Sequence, residues 1–210
     1  MICYVLGVMG LGKTAFTSLY ALQFSKDNPN SMIYANYHLS LKNFIYTPYM
    51  FLPFSKLDKC LIIADDFYTL KNLKGFTSTC VNLSRKANLD ILLTAQYYTM
   101  IPKEIRDLSD ELRPFINKIN RTLYYVKITP ENDYSMGMVN NIFEKLDGLY
   151  DTNEIVKFNR LDKIANEIIK HSSNLEDLLD NIELYGSSQA KIKGMLKLVK
   201  ANPKSKKFFK

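Results

Sequence analysis

"GVMGLGKT", residues 7–14, decides the fold. The stretch matches Gly-x-x-x-x-Gly-Lys-[Ser/Thr], and each fixed residue in that pattern has a physical task. Gly7 and Gly12 admit the positive-φ backbone of a tight loop. The N–H groups of Met9, Gly10, Leu11, Gly12, Lys13, Thr14 and Ala15 then turn inward at a helix N-terminus, where the dipole favours anions such as the β- and γ-phosphates of a nucleotide. Lys13 adds a mobile positive charge, and the Thr14 hydroxyl is placed to ligate Mg²⁺. Average composition puts a chance match in a chain of this length at roughly 1 in 100. The flanks are also in order. "ICYVL" at residues 2–6 reads as a buried strand, and residues 15–24 read as a helix with Phe16, Leu19, Tyr20 and Phe24 apolar.

Further along the chain the pattern of short apolar runs repeats. "SMIYANY" (31–37) reads as a strand, and "LIIA" (61–64) as a short buried one that ends in two acids, Asp65 and Asp66. Buried parallel strands read as continuous apolar runs, and ligands collect at their carboxyl ends. Hydrolysis of a phosphoanhydride uses one carboxylate to hold the hydrated metal and a second to orient and deprotonate water. Asp65 suits the first role and Asp66 the second. Residues 68–86 read as helical, 91–95 as another buried strand, and Gln96 stands at that strand's carboxyl end, within reach of a γ-phosphate or attacking water. Residues 121–129 and 134–143 read as a further pair of strands. Strands separated by helices imply a three-layer α/β fold with a mainly parallel central sheet and C-terminal helices.

The chain has 210 residues, 47% of them hydrophobic, enough for one ordinary domain. The net charge is +7, yet residues 187–210 hold eight lysines and no acid, so residues 1–186 sit at −1. Such a basic end can neutralise nucleic-acid phosphates, lie on an anionic membrane or remain a solvated terminus. The aromatic-rich stretch around Tyr37, Phe44, Tyr46, Tyr49, Phe51 and Phe54, interleaved with Lys42 and Lys56, either packs over the sheet or contacts bases or a neighbouring subunit. The N-terminal apolar run lacks the basic start of a signal peptide. The run at 43–54 is interrupted by Pro48 and Pro53 and is too short to span a bilayer. Cys3, Cys60 and Cys80 suggest reduced thiols. His38 and His171 are isolated, and no Cys/His spacing suggests zinc.

The phosphate loop alone does not choose among its many users. "NKIN" at 117–120 ends in Asn120 and so lacks the carboxylate of a guanine reader. No Leu-Ser-Gly-Gly-Gln string occurs, and the arginines, at 85, 106, 113, 121 and 160, do not form the lid of a small-molecule kinase. What remains is "GVMGLGKT", "LIIADD" and "LSRKANLDILLTAQYYTMIPKEIRDL" (83–108). Together these resemble the FtsK–HerA superfamily of DNA-pumping ATPases, in which an Arg-containing helix precedes a strand ending in Thr-x-Gln and a Pro loop follows. Within it the likeness runs to the genome-packaging NTPases of viruses with internal membranes, of the turreted icosahedral archaeal type, which are compact ATPases that begin at the phosphate loop.

The resemblance covers about residues 1–160. It implies an enzyme that hydrolyses ATP with Mg²⁺ to translocate double-stranded DNA. Lys13 and Thr14 would hold phosphate and Mg²⁺, Asp65 the metal, Asp66 the water, and Gln96 would sense the γ-phosphate. Arg85 matches a position that supplies an arginine finger to the next subunit of a ring, with Arg113 and Arg121 as rivals. The family's second acid is usually Glu, and Asp66 is a methylene shorter. The implied organisation is an ATPase core at 1–160, C-terminal helices packed on it at 161–186, and a basic amphipathic helix with a Lys-rich tail at 187–210. The implied partners are DNA, further copies in a ring, and capsid or portal-like vertex proteins, with an anionic membrane as another contact for the tail. The place of action would be the cytoplasm of an infected host cell or the virion, with no membrane-spanning segment. A phage-assembly or extrusion ATPase of the zonula occludens toxin type, and a kinase or regulator uncoupled from DNA, are the alternatives.

Overall fold

A computed structural model describes residues 1–48, 50, 52, 57–67, 81, 82, 84, 87–151, 161–185 and 189–209. Eight strands are present: β1 (Ile2–Leu6), β2 (Ile33–Ala35), β3 (Phe44–Tyr46), β4 (Leu61–Ala64), β5 (Asp90–Ala95), β6 (Asp110–Asn117), β7 (Thr122–Ile128) and β8 (Tyr134–Val139). They form a single sheet in the order β3-β2-β4-β5-β1-β6-β7-β8. The first six are parallel, and β6, β7 and β8 run as an antiparallel meander.

Alternation along the strands explains the layers. Cys3 and Val5, Ile33 and Ala35, Leu61 and Ile63, and Leu92 face one way, into a core with Ala15, Phe16 and Ala21 of α1 (Lys13–Asp27). Tyr4 and Leu6, Tyr34, Ile62 and Ala64, and Ile91, Leu93 and Ala95 face the other way. There they meet α4 (Leu161–His171), α5 (Leu175–Tyr185) and α6 (Gln189–Ala201) through Ile164, Ile168, Leu178, Ile182, Met195 and Val199. Strands apolar on both faces have to be covered on both, and this arrangement does so. The result is the expected three-layer α/β fold. Two short helices, α2 (Lys103–Arg106) and α3 (Ile142–Leu146), complete the described set, with 3₁₀ turns at Tyr98–Met100 and Pro203–Phe208.

Some boundaries differ from the sequence reading. The first helix starts at Lys13 and runs to Asp27, because the loop itself supplies its first turn. β3 falls inside the aromatic-rich stretch, where Tyr37 is buried and Tyr46 stacks on His38 at 3.8 Å. Tyr49, Phe51 and Phe54 of that stretch lie outside the described residues. β6 was not legible in sequence, since "DELRPFIN" contains a proline. The proline is tolerated because Pro114 sits past the parallel pairing of β1, whose register on β6 ends at Val5–Leu112.

The lysine-rich end is folded. Asn202 accepts a hydrogen bond from Lys204 N at 3.0 Å, Ser205 Oγ donates to Val199 O at 2.5 Å, and Phe208 is buried. The Tyr185 hydroxyl accepts from Leu52 N at 2.8 Å and ties the end of α5 to the chain before β4. Burial pushes the thiols of Cys3 and Cys60 up to about 12, so neither is reactive, while Cys80 lies outside the described residues. Among the described residues no helix is long and apolar enough to cross a membrane.

Candidate nucleotide site

Strand order brings the polar ends together. β5 lies between β1 and β4, so the carboxyl ends of all three open on one edge of the sheet. The phosphate loop follows β1, the two acids follow β4, and Gln96 follows β5, half-buried between them. Gly7 N donates to Ala95 O at 3.3 Å, which holds the start of the loop against the end of β5.

Glycine is required twice within the loop. Gly10 has φ +84° and Gly12 φ +95°, both left-handed. At Gly12 a Cβ would also lie 2.6 Å from the Ile116 side chain of β6. α1 begins at the next residue, so its first free N–H groups face the loop. Lys13 is buried against the loop, its Nζ donating to Gly7 O at 2.8 Å. Met9 is exposed at the loop's crest.

The Thr14 hydroxyl donates to Asp65 Oδ2 at 2.9 Å, although 51 positions separate the two residues. Two residues missed in the sequence hold Asp65 in place. Thr94, fully buried in β5, donates from Oγ1 to Asp65 Oδ1 at 2.6 Å and accepts from Asp66 N at 2.8 Å. Asn36, fully buried after β2, closes a two-bond amide clamp on the Asp65 backbone: its Oδ1 accepts from Asp65 N at 2.7 Å and its Nδ2 donates to Asp65 O at 2.8 Å. The sequence did carry a signal for both, namely a polar residue at the end of an otherwise apolar strand. Beneath them Tyr37 bonds with Thr17 and Ser18 of α1 at 3.0 and 3.1 Å. Burial, and then the Asp65 charge, pushes the pKa of Tyr37 up and keeps it a neutral hydroxyl.

Asp66 adopts φ +46°, a left-handed conformation for a residue with a side chain. The bond to Thr94 secures that turn. Burial raises the pKa of its carboxyl, the nearby Asp65 raises it further, and Lys13 partly offsets both. A carboxylate with a raised pKa is a better proton acceptor than an ordinary one. Thr14 and Asp65 together offer hard oxygen donors of the kind Mg²⁺ takes.

The arginines are not gathered at this site. Arg113 lies on β6 and pairs with Glu111, Arg121 lies in the turn between β6 and β7 with φ +53°, and Arg85 falls outside the described residues.

Among solved structures the chain is similar to the N-terminal domain of zonular occludens toxin from Neisseria meningitidis. That pair is 14% identical with a TM-score of 0.52, covering 71% of this chain and 98% of that one. B204, the DNA-packaging ATPase from Sulfolobus turreted icosahedral virus, is 12% identical with a TM-score of 0.47, over 64% of this chain and 95% of that one. The genome-packaging NTPase B204 from Sulfolobus turreted icosahedral virus 2, in complex with ATP-gammaS, is 14% identical with a TM-score of 0.49 over the same shares. No protein-family model and no curated protein matches the chain. The fold is that of a P-loop NTPase.

Proposed function

We propose that this chain is an ATP-hydrolysing motor that translocates double-stranded DNA, of the kind that packages viral genomes. The observation that carries the nucleotide part is the 2.9 Å bond between Thr14 and Asp65. It joins the phosphate loop to the acidic strand end, the pairing that phosphoryl transfer requires. In this reading the loop N–H groups and Lys13 hold the β- and γ-phosphates, and the loop's shape orients the bond to be cleaved. Thr14 and Asp65 would hold Mg²⁺, which when bound neutralises charge on the phosphate oxygens. Asp66 takes the proton from the attacking water. Gln96 contacts the γ-phosphate or that water and passes its loss to the loop that follows, Tyr97–Arg106.

The DNA part rests on the likeness of "LSRKANLDILLTAQYYTMIPKEIRDL" to the DNA-pumping ATPases and on the folded basic end. Lys193, Lys197, Lys200, Lys204, Lys206 and Lys207 are carried on one packed helix and turn, a stiff charged element suited to backbone phosphates of any sequence. Copies would assemble in a ring, each closing its site against the next with a trans arginine, for which Arg85, Arg113 and Arg121 are the candidates.

ATP hydrolysis measured with and without double-stranded DNA, with Lys13→Ala as the blank, tests both parts. Hydrolysis that the substitution abolishes, stimulated several-fold by DNA of unrelated sequences, is expected. Hydrolysis unchanged by DNA would remove the motor and leave an ATPase of another use. Equal turnover in wild type and Lys13→Ala would remove the nucleotide site as well.

A further inference from the structure

The outer part of the sheet has one face that nothing covers. Register places three rows of side chains on the side away from α1: Glu111, Ile128 and Tyr134; Arg113, Val126 and Met136; Phe115, Tyr124 and Met138. The opposite rows, with Leu112, Ile116, Leu123 and Val139, belong to the core under α1. The C-terminal helices reach Tyr4 of β1 but none of these nine residues. Tyr134 is 77% exposed, Met136 76%, Met138 62% and Phe115 52%.

With about 200 Å² for a fully exposed large side chain, these four and the half-exposed Arg113 present roughly 650 Å², more than the largest apolar patch of a typical monomer. Tyr124, Val126 and Ile128 are half-buried among them and enlarge it. A stable interface takes about 800 Å² from each partner. β8 is also an unpaired edge whose six residues, "YSMGMV", carry no charge, although edges that stay solitary are usually guarded by lysine or proline.

We infer that this face is a self-association surface on which a second copy of the chain packs sheet against sheet. Charge argues against nucleic acid there, since the only charged side chains in the nine are Glu111 and Arg113, already paired with each other. The face is complementary to itself. A two-fold axis parallel to the strands lays β6 of each copy over β8 of the other and β7 over β7. Met136 and Met138 then cover Arg113 and Phe115, Tyr134 meets Glu111, and Val126 meets its own copy. Apolar atoms face apolar atoms, and no like charges are brought together. Two sheets packed in this manner lie about 10 Å apart with nearly aligned strands. The contact is separate from the nucleotide-bridging contact of the proposed ring and needs no nucleotide.

The test is the solution mass of the full chain by sedimentation or light scattering, without nucleotide, at tens of micromolar. Wild type is expected at twice 24.3 kDa and the Met136→Lys/Met138→Lys variant at 24.3 kDa, with unchanged circular dichroism. Val126→Cys, in the middle of the face, should be bridged into a dimer by a short bis-maleimide under conditions that leave wild type uncrosslinked. A monomeric wild type, or a dimer that survives both lysines, overturns the proposal. Association that appears only with ATP and survives the lysines belongs to the ring instead. Failure here leaves ATP hydrolysis, read in the same preparations, untouched.

Discussion

The two halves of the sheet are built on opposite plans. β1, β2, β4 and β5 are parallel and apolar on both faces, with α1 on one side and the C-terminal helices on the other. The β6–β8 meander is antiparallel and covered on one side alone. The difference is functional as well as architectural. Parallel strands all end on the same edge, so the polar residues after each of them, Gly7, Asn36, Asp65 and Gln96, meet there without any long loop. A meander sends alternate ends to opposite edges and gathers nothing, and what it offers is a face. The parallel half therefore makes a site, and the antiparallel half makes a surface.

Paired substitutions sharpen that contrast most. Leu93→Ala, in β5 between the two helical layers, should cost about 2–5 kcal/mol of stability. Met138→Ser, on the bare face, should cost under about 0.5 kcal/mol in the isolated copy. Chemical denaturation of both reads the gap, and equal losses would mean that the outer face is covered within the monomer.

Thr94→Val comes next. The replacement keeps the shape, removes the 2.6 Å bond to Asp65 and leaves Asp66 N without its acceptor. Loss of a group that positions a metal ligand typically costs 10–100-fold. ATP turnover is expected to fall by about that factor, with the Mg²⁺ concentration needed for half-maximal rate raised. Thr94→Ser should restore most of it, because the hydroxyl is what matters. A variant with normal Mg²⁺ dependence would reduce Thr94 to a packing residue.

The smallest effect is a displacement in pH. The Asp66 carboxyl is raised by burial and by Asp65, and its charged form is the one that accepts a proton. Turnover should therefore be full above that raised pKa and fall as pH drops through it. The acid limb would lie higher than the ordinary carboxylate value of about 3.9. A pH–rate profile with its limb at the ordinary position would show that Asp66 is not the group being titrated.

Local order was readable directly from the chain. The loop is eight consecutive residues whose glycines, lysine and threonine each carry their own reason, and the alternation of β1, β4 and β5 follows from residues two apart. Those features depend on neighbours in sequence, and so they were legible as sequence. The tertiary structure alone decided three matters, each resting on residues far apart. It set β5 between β1 and β4, which brings Thr14 to Asp65 across 51 positions and makes Thr94 and Asn36 its supports. It turned "DELRPFIN" into a strand, because pairing with β1 and β7 outweighs what a proline signals locally. It stopped the C-terminal helices short of β6, and that leaves one face of the meander in water. Pairing partners and covered faces are long-range choices, made by what buries the most apolar surface at once, and no short stretch of sequence encodes them.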